Sequence, residues 1–297
     1  ICAVKLAECI EAAGFPRGVF QLVVGKASEI GSEMLENPLC RKISFTGSTE
    51  IGKRLIEGAA KTCTRLSLEL GGNAPLLIFA DADLDKAVEG AIIAKFRNTG
   101  QSCVASNRIY VERSVFDAFV EKFVAATKAL KIGYGLEEGM DIGPLIDEAG
   151  CESTLRFVED AKAKGARVLC GGTRGDGDGA FVTPAVLVDL SEDALCMSEE
   201  IFAPVAPVIP FDTEEEVVRL ANDTEYGLAA YAFTSDLNRA LRLAEQLEAG
   251  TVGINESVPA TSNCPFGGFK QSGWGRELGT EGMEAYLETK HVSIGGV

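Results

Sequence analysis

Cys103 lies in a stretch of sequence that suits a nucleophile. From Asn98 to Asn107 the sequence reads NTGQSCVASN, and Gly100 and the small neighbouring residues leave the sulfur accessible. The backbone N–H groups of such a loop can lower the pKa of a thiol and stabilise a developing oxyanion. A cysteine considered alone is more often a small core residue. That description is expected to fit four of the others, which are Cys2, Cys9, Cys63 and Cys170.

Glu69 is a candidate general base. It lies at the end of the alternating segment Arg65–Leu70 and directly precedes the flexible pair Gly71 and Gly72. A carboxylate at a strand end, beside a mobile turn, is able to take a proton from water. These residues alone fit a solvent-exposed strand end without a catalytic role equally well.

Gly47, Ser48 and Thr49 form a candidate phosphate site. They stand where a strand pattern changes to a helix pattern, and small residues there leave backbone N–H groups and the positive helix end open to a phosphate. A turn that only caps the helix is the alternative. A nucleotide-binding P-loop is excluded, because Arg54 stands where that loop needs a serine or threonine.

The segments that must position these residues alternate between strand and helix patterns. Short apolar runs predict the strands Val19–Gly25, Lys42–Thr46, Arg65–Leu70, Pro75–Ala80, Arg108–Glu112, Arg167–Cys170, Ala185–Val188, Val205–Phe211, Ala229–Thr234 and Thr251–Ile254. Apolar residues at helical spacing predict the helices Ile1–Ala13, Ser28–Leu35, Thr49–Ala60, Leu84–Asn98, Val115–Leu130, Glu152–Lys164, Glu214–Ala221 and Leu237–Leu247. Strands separated by helices of this length indicate an α/β protein with a doubly wound parallel sheet.

Composition excludes several classes of protein. The 297 residues carry a net charge of −16, which argues against nucleic acid as a partner because phosphate binding needs clustered basic residues. The single histidine, His291, disfavours hydrolases with a catalytic histidine, and no metal site is expected. No apolar run is long enough for a membrane span. The nine cysteines form no Cys-x-x-Cys pair, and their odd number favours the reducing cytoplasm.

Five segments, in this order, resemble the successive signatures of the aldehyde dehydrogenase superfamily. They are Phe45–Thr49 (FTGST), Glu69–Asn73 (ELGGN), Gly100–Cys103 (GQSC), Glu199–Phe202 (EEIF) and Pro265–Lys270 (PFGGFK). The resemblance covers essentially the whole chain. It implies a partial doubly wound cofactor domain over residues 1–70, an α/β catalytic domain over residues 71–272 and a C-terminal return and oligomerisation segment over residues 273–297. Three segments further resemble the succinate-semialdehyde dehydrogenases within that superfamily: Lys95–Cys103, Asn222–Tyr231 and Cys264–Gly268.

The resemblance implies a reaction and assigns residues to it. Cys103 would attack an aldehyde as a thiolate, hydride would pass from the thiohemiacetal to NAD or NADP, and Glu69 would activate the water that hydrolyses the thioester. The presence of Glu69 favours hydrolysis over transfer of the acyl group to coenzyme A. The implied cofactor-binding residues are Gly47, Ser48, Leu70, Glu200 and Phe202.

Arg97 is the residue to which the resemblance assigns the choice of substrate. It precedes Cys103 by six positions and matches the arginine that holds the distal carboxylate in the succinate-semialdehyde branch. A guanidinium suits this task because it binds a carboxylate through two parallel hydrogen bonds. An arginine on a helix surface is the alternative. The other implied substrate-binding residues are Thr261, Ser262 and Phe266.

Members of the superfamily carry an N-terminal region before the first predicted helix, and its segments cannot be located in this chain. We therefore expect a longer gene product, or a partner that covers the exposed surface, and a homo-oligomer for the full-length form. Three alternatives stay open: another small aldehyde as substrate, a catalytically silent fragment that keeps the fold, and a cysteine esterase that needs no cofactor. Some relatives have a second cysteine two positions after the nucleophile. Ala105 stands there in this chain, so no disulfide switch is expected at that position.

Overall fold

Apolar strands alternate with amphipathic helices along most of the chain, as the sequence pattern predicts. The structure is a computed structural model that describes residues 1–175 and 179–296. Val297, and residues 176–178 of the Gly171–Gly179 stretch, lie outside the described residues. The helices are α1 (Cys2–Ala12), α2 (Ala27–Glu36), α3 (Thr49–Ala59), α4 (Leu84–Phe96), α5 (Phe116–Ala129), α6 (Glu148–Ala163), α7 (Leu195–Ser198), α8 (Glu214–Asn222), α9 (Leu237–Gln246) and α10 (Gly279–Glu284). The strands are β1 (Lys42–Thr46), β2 (Arg65–Glu69), β3 (Ala74–Ile78), β4 (Ser106–Glu112), β5 (Arg167–Cys170), β6 (Ala185–Val188), β7 (Val205–Phe211), β8 (Tyr226–Gly227), β9 (Ala229–Phe233), β10 (Thr251–Ile254), β11 (Phe269–Lys270) and β12 (Gly273–Trp274).

The chain divides into two compact units. The first unit comprises Ile1–Ile43 and Arg54–Arg65, and the second comprises Ser44–Lys53 and Leu66–Val297. The predicted boundaries after residues 70 and 272 stay predictions.

A seven-stranded sheet forms the centre of the second unit, in the order β10-β9-β3-β4-β7-β6-β5. Its neighbouring strands run parallel except β5 and β6, which are antiparallel. Every residue of β3 is buried. A strand buried on both faces is typical of a sheet covered by helices on each side.

Alternate residues of β3 and its extension contact opposite faces of this sheet. Leu76 and Ile78 belong to a core cluster that includes side chains of α4 and α5. Leu77 and Phe79 belong to a second cluster with side chains of α8 and α9. The predicted doubly wound α/β architecture is therefore confirmed.

The second sheet of the molecule holds β2 between β1 and β12. Glu69 and Leu68 at the end of β2 pair antiparallel with Gly273 and Trp274. The Glu69 carbonyl accepts a hydrogen bond from the Gly47 N–H at 3.0 Å. The end of β2 is thus fixed from both sides just before the chain turns through Gly71.

Two predictions are wrong, one for a strand of the first unit and one for the burial of four cysteines. Residues 19–25 form no strand, and Val19, Val23 and Val24 are exposed. A strand needs a neighbour for its backbone N–H and C=O groups, and none of the described strands pairs with this segment. Cys2, Cys9 and Cys63 are exposed instead of buried, and Cys170 is half-buried. No helix in the described ranges is both long enough and apolar enough to cross a membrane.

Candidate active site

The loop that carries Cys103 begins with a turn in an unusual backbone conformation. After α4 ends at Phe96, Asn98, Thr99 and Gly100 all have positive φ angles, of 52°, 59° and 74°. A β-branched residue such as Thr99 rarely adopts this conformation. The Thr99 hydroxyl donates to the Gly143 carbonyl at 3.0 Å, and the Asn98 side-chain amide donates to the Gln101 carbonyl at 2.8 Å. Such strain persists only where surrounding contacts hold it, and it is common at functional sites.

Gly100 allows this turn to pack against a neighbouring backbone. A Cβ atom at that position would lie 2.4 Å from the Ala203 carbonyl oxygen. One residue further on, the Gln101 side-chain oxygen accepts a hydrogen bond from the Ile146 N–H at 2.9 Å. The segment that leads into Cys103 is therefore fixed by contacts to two other parts of the chain.

The Cys103 thiol is half-buried, and its pKa is raised to about 11. Burial is the largest cause, and the negative charges of Glu200 and Glu69 act in the same direction. The backbone N–H groups of Cys103 and Val104 oppose these effects by hydrogen bonding to the thiolate. Two carboxylates and one thiol thus share a single electrostatic site.

Glu69 is only 3% exposed, and its pKa is raised to about 8. Burial is the main cause, since it removes water from the charged form, and the charge of Glu277 adds to it, while Arg276 opposes both. The Oε2 atom of Glu69 has no hydrogen-bond partner among the described residues. A buried carboxyl oxygen without a partner, with a pKa near neutrality, is well suited to exchange a proton.

The Gly71 and Gly72 turn brings the predicted residues together. A Cβ atom on Gly72 would lie 2.1 Å from the Cys103 carbonyl oxygen, and one on Gly71 would lie 2.7 Å from Oε2 of Glu200. The Gly72 N–H donates to Oε1 of Glu200 at 3.0 Å. A side chain on either glycine would therefore collide with the Cys103 backbone or with the Glu200 carboxylate.

Buried polar residues below the turn form a support that the sequence did not reveal. The Lys95 ammonium, fully buried, donates to Oδ1 of Asn107 at 3.1 Å, and the Asn107 amide donates to the Gly72 carbonyl at 3.3 Å. The Arg108 guanidinium donates to the Asn73 carbonyl at 2.9 Å. Burial lowers the pKa of Lys95 to about 7. A lysine within the alanine-rich side of a helix is the signal that could have identified it.

The remaining predicted cofactor residues follow β1, β2 and α7 along the chain. Ser48 is exposed before α3, and its hydroxyl accepts a hydrogen bond from the Ile51 N–H at 3.4 Å. Phe202 is 47% exposed and has a positive φ of 46°. The Leu70 side chain is buried, and a Cβ atom on Gly52 would lie 2.5 Å from it.

A cavity of about 50 Å³ lies beside the nucleophile loop. Arg97 and Phe266, both predicted to bind substrate, contribute to its wall. Thr261 and Ser262, also predicted to bind substrate, are exposed and do not contribute to the wall. Residues 257–260 of the same loop form that part of the wall. Ser257 therefore provides the loop hydroxyl at the cavity. The other residues of the wall include Ser102, Val104, Tyr231 and Thr251.

Arg97 forms no ion pair with any residue that the structure describes. Arg97 is exposed and contributes to the cavity wall, and its role in substrate binding stays a prediction. Within residues 1–175 and 179–296, no group of three or more histidine, cysteine, aspartate or glutamate side chains could hold a metal ion.

The chain is similar to several known proteins over nearly its whole length. A family model described as "Aldehyde dehydrogenase family" matches residues 1–292. A glutarate-semialdehyde dehydrogenase from Pseudomonas aeruginosa is 50% identical over 295 residues, which are 99% of this chain and 61% of that protein. An NADP(+) succinate-semialdehyde dehydrogenase from Escherichia coli K12 is 52% identical over 293 residues, again 99% of this chain and 61% of that protein.

Among solved structures, a betaine aldehyde dehydrogenase from Staphylococcus aureus in complex with NAD+ matches with a TM-score of 0.94 and 39% identity. The match covers 98% of this chain and 58% of that one. The chain thus spans about three-fifths of the length of the proteins it matches.

Proposed function

Because the chain belongs to the aldehyde dehydrogenase family, we propose that it oxidises an aldehyde to a carboxylic acid with NAD or NADP as hydride acceptor, and that its substrate is succinate semialdehyde. The observation that carries the proposal is the meeting of Cys103, Glu69 and Glu200 around one glycine turn. This arrangement also argues against a catalytically silent fragment, which would need none of the three.

Cys103 forms the covalent bond in the proposed reaction. Its thiolate attacks the aldehyde carbon, and the new alkoxide lies near the Cys103 N–H, which can donate to it. A nicotinamide cofactor held by Glu200 and Ser48 would supply the chemistry of hydride acceptance. A thioester on Cys103 then remains.

Glu69 completes the cycle as a general base. Its oxygen without a partner takes a proton from water, the hydroxyl oxygen attacks the thioester carbonyl, and the C–S bond breaks to release the acid. A base with a pKa of about 8 remains partly protonated at neutral pH, so this step is expected to accelerate as the pH rises.

Glu200 and Ser48 have the chemistry needed to hold the cofactor. A carboxylate accepts hydrogen bonds from a ribose diol, and Oε2 of Glu200 lies over Gly71, where no side chain obstructs it. The exposed Ser48 hydroxyl at the start of α3 suits a pyrophosphate at a positive helix end. The two groups therefore fit NAD or NADP.

Arg97 supports an aldehyde with a distal carboxylate as the substrate. Among the acidic side chains that the structure describes it has no partner, and it contributes to a cavity next to Ser102 and Val104, the neighbours of the nucleophile. The Ser257 hydroxyl on the same wall offers a second contact. A small cavity with one free guanidinium suits a short semialdehyde.

The test compares an anionic and an uncharged aldehyde. Arg97→Ala should lower kcat/KM for succinate semialdehyde about 30-fold or more, because truncating one partner of a charged pair costs about 2–5 kcal/mol. The kcat/KM for butanal should change less than threefold. Formation of NADH or NADPH is the measurement, and Arg17→Ala removes an exposed arginine of the first unit as the matched control.

Equal losses for both aldehydes would overturn the substrate assignment. Cys103→Ala should abolish turnover of both, and full activity in that variant would overturn the nucleophile assignment. Hydrolysis of p-nitrophenyl acetate without any nucleotide, combined with no aldehyde oxidation, would favour the cysteine esterase.

We also propose a cytoplasmic, homo-oligomeric protein. All nine cysteines are free, which supports a reducing compartment. Trp274, Met283 and Tyr286 near the C-terminal end are exposed, and apolar side chains of this size suit a contact with a second copy. Sedimentation analysis should give a mass of at least twice 31.4 kDa.

A further inference from the structure

Tyr231 is a buried tyrosine that connects the substrate cavity to the nucleophile loop. It lies in β9 and is only 1% exposed, and it shares the wall of the cavity with Arg97. Its hydroxyl donates a hydrogen bond to the Val104 carbonyl at 2.7 Å. The tyrosine therefore contacts the backbone one residue after Cys103.

The Val104 carbonyl is part of a segment whose geometry controls the thiol. The N–H groups of Cys103 and Val104 can donate to the Cys103 thiolate, and both lower the pKa of the thiol. The Cys103 carbonyl lies against Gly72, and the Ala105 N–H closes a turn onto the Ser102 carbonyl at 3.0 Å. Tyr231 is thus the side chain that holds this short turn from the cavity side.

Burial and two neighbouring groups shift the pKa of Tyr231. Burial raises the pKa of Tyr231, the thiolate of Cys103 raises it further, and the Arg97 guanidinium opposes them. Tyr231 therefore interacts electrostatically with Cys103 and Arg97, the two residues that a semialdehyde would contact. With its pKa raised, its hydroxyl stays a neutral donor over the working pH range.

We propose that Tyr231 is a positioning residue for the nucleophile. Its hydroxyl fixes the Val104 carbonyl, so that the N–H groups of Cys103 and Val104 stay directed at the sulfur. The proposal deepens the proposed function, since it rests on Cys103 as the nucleophile. It adds a residue on a distant strand that the chemistry requires without contact with the reacting atoms.

The test is the rate at which iodoacetamide alkylates each cysteine at pH 9, measured by mass spectrometry on the digested protein. Tyr231→Phe should slow the alkylation of Cys103 about five- to tenfold, the effect expected for the loss of one hydrogen bond of average strength. Tyr110→Phe removes another buried tyrosine hydroxyl and is the matched control. Its Cys103 should react at the unmodified rate.

The other cysteines report whether an effect is local. Exposed Cys264 should react equally in all variants, and buried Cys151 and Cys196 should stay unmodified unless the protein unfolds. Replacing Tyr231 with 4-aminophenylalanine keeps a donor on the ring. That protein should recover at least half of the unmodified rate at Cys103, which also tests the proposal if Tyr231→Phe does not fold.

Three results would contradict the two proposals in different ways. An unchanged Cys103 rate in folded Tyr231→Phe overturns the positioning role alone. The positioning role is also overturned if Cys103 in the 4-aminophenylalanine protein is alkylated at least fivefold more slowly than in the unmodified protein. The third result is an alkylation rate of Cys103 in the unmodified protein that is no higher than the rate of Cys151. That result overturns the role of Cys103 as the nucleophile, and with it the proposed function.

Discussion

Glu69 and Cys103 share a site, yet the structure keeps the proton on sulfur. The thiol has a pKa of about 11, and the carboxyl has a pKa of about 8, so the carboxyl loses its proton first as the pH rises. The protein at neutral pH therefore combines a protonated thiol with a partly protonated base. Both steps of the proposed reaction, thiolate attack and thioester hydrolysis, should therefore become faster as the pH rises.

The pH dependence of deacylation tests the role of Glu69. The raised pKa means that the base form is lost as the pH falls through about 8, so the deacylation rate should rise with a midpoint near pH 8. Glu69→Gln should lower the plateau about 100-fold or more, as expected for the loss of a general base. The slow phase of p-nitrophenyl acetate hydrolysis, after the burst, measures this rate.

Glu277→Gln tests whether the pKa of Glu69 sets the pH dependence of deacylation. Because the charge of Glu277 raises the pKa of Glu69, its removal should move the deacylation midpoint to lower pH while the plateau is kept. A midpoint that stays near 8 in this variant, or a pH-independent rate in the unmodified protein, would contradict the assignment.

Lys95 should make the stability of the protein depend on pH. Its pKa is lowered from 10.5 to about 7 in the folded state, so the unfolded state binds more protons between these values and stability rises with pH across that range. Lys95→Met removes this dependence. Relative to that variant, the unmodified protein should gain about 1.4 kcal/mol of unfolding free energy per pH unit between pH 8 and 10.

Urea unfolding at each pH measures the Lys95 effect, and exposed Lys131→Met is the control. The difference between the unmodified protein and Lys131→Met should stay constant over the same range. A constant difference for Lys95→Met as well would show that the buried amine is not the titrating group.

At the scale of the elements, the glycine turn between β2 and β3 determines whether the site forms. Gly72→Ala would place a Cβ atom 2.1 Å from the Cys103 carbonyl oxygen, and because the contacted atom belongs to the backbone it has little room to relax. Overpacking of this kind costs about 1–3 kcal/mol or more. We expect a lower unfolding free energy and loss of aldehyde oxidation.

Gly135→Ala is the matched control for the turn. A Cβ atom at Gly135 meets nothing within 4 Å, so the substitution should change neither stability nor turnover. Urea unfolding and NAD(P)H formation are measured on both variants. A fully active, equally stable Gly72→Ala would mean that the turn does not pack as described.

Strands and helices could be predicted from the sequence where their apolar pattern is strong. Catalytic residues could be predicted where the neighbouring residues in the sequence indicate their role. Strands such as β4 and β7 follow from apolar runs, and Cys103 and Glu69 follow from the small residues around them. Val19–Gly25 has the same apolar character, but no strand in the described part of the chain pairs with it, which a local pattern cannot reveal. Tyr231 gains its role only because β9 returns beside β3.

At the scale of the whole molecule, burial differs sharply between the two units. Helices α1 and α2 of the first unit contain no buried residue, whereas β3, β6 and β9 of the second are entirely buried. Burial and hydrogen bonding set the free energy of local opening. The second unit should therefore be the more protected part of the chain.

Amide hydrogen exchange tests this difference. Peptides from residues 2–36 should exchange within about a minute at pH 7, while peptides from β3, β4 and β9 should keep their protons at least 100-fold longer, because opening them requires unfolding of the core. Mass spectrometry of the quenched, digested protein provides the rates. Equal rates in both sets of peptides would contradict the prediction.

The hydrogen bond from Tyr231 to Val104 joins residues that are 127 positions apart. A ribosome adds about 5–20 residues per second, so roughly 6–25 s separate the synthesis of the nucleophile from that of the tyrosine. Throughout that interval the thiol-bearing loop is already made but not yet held. The growing polypeptide can acquire an ordered reactive cysteine only after β9 has left the exit tunnel.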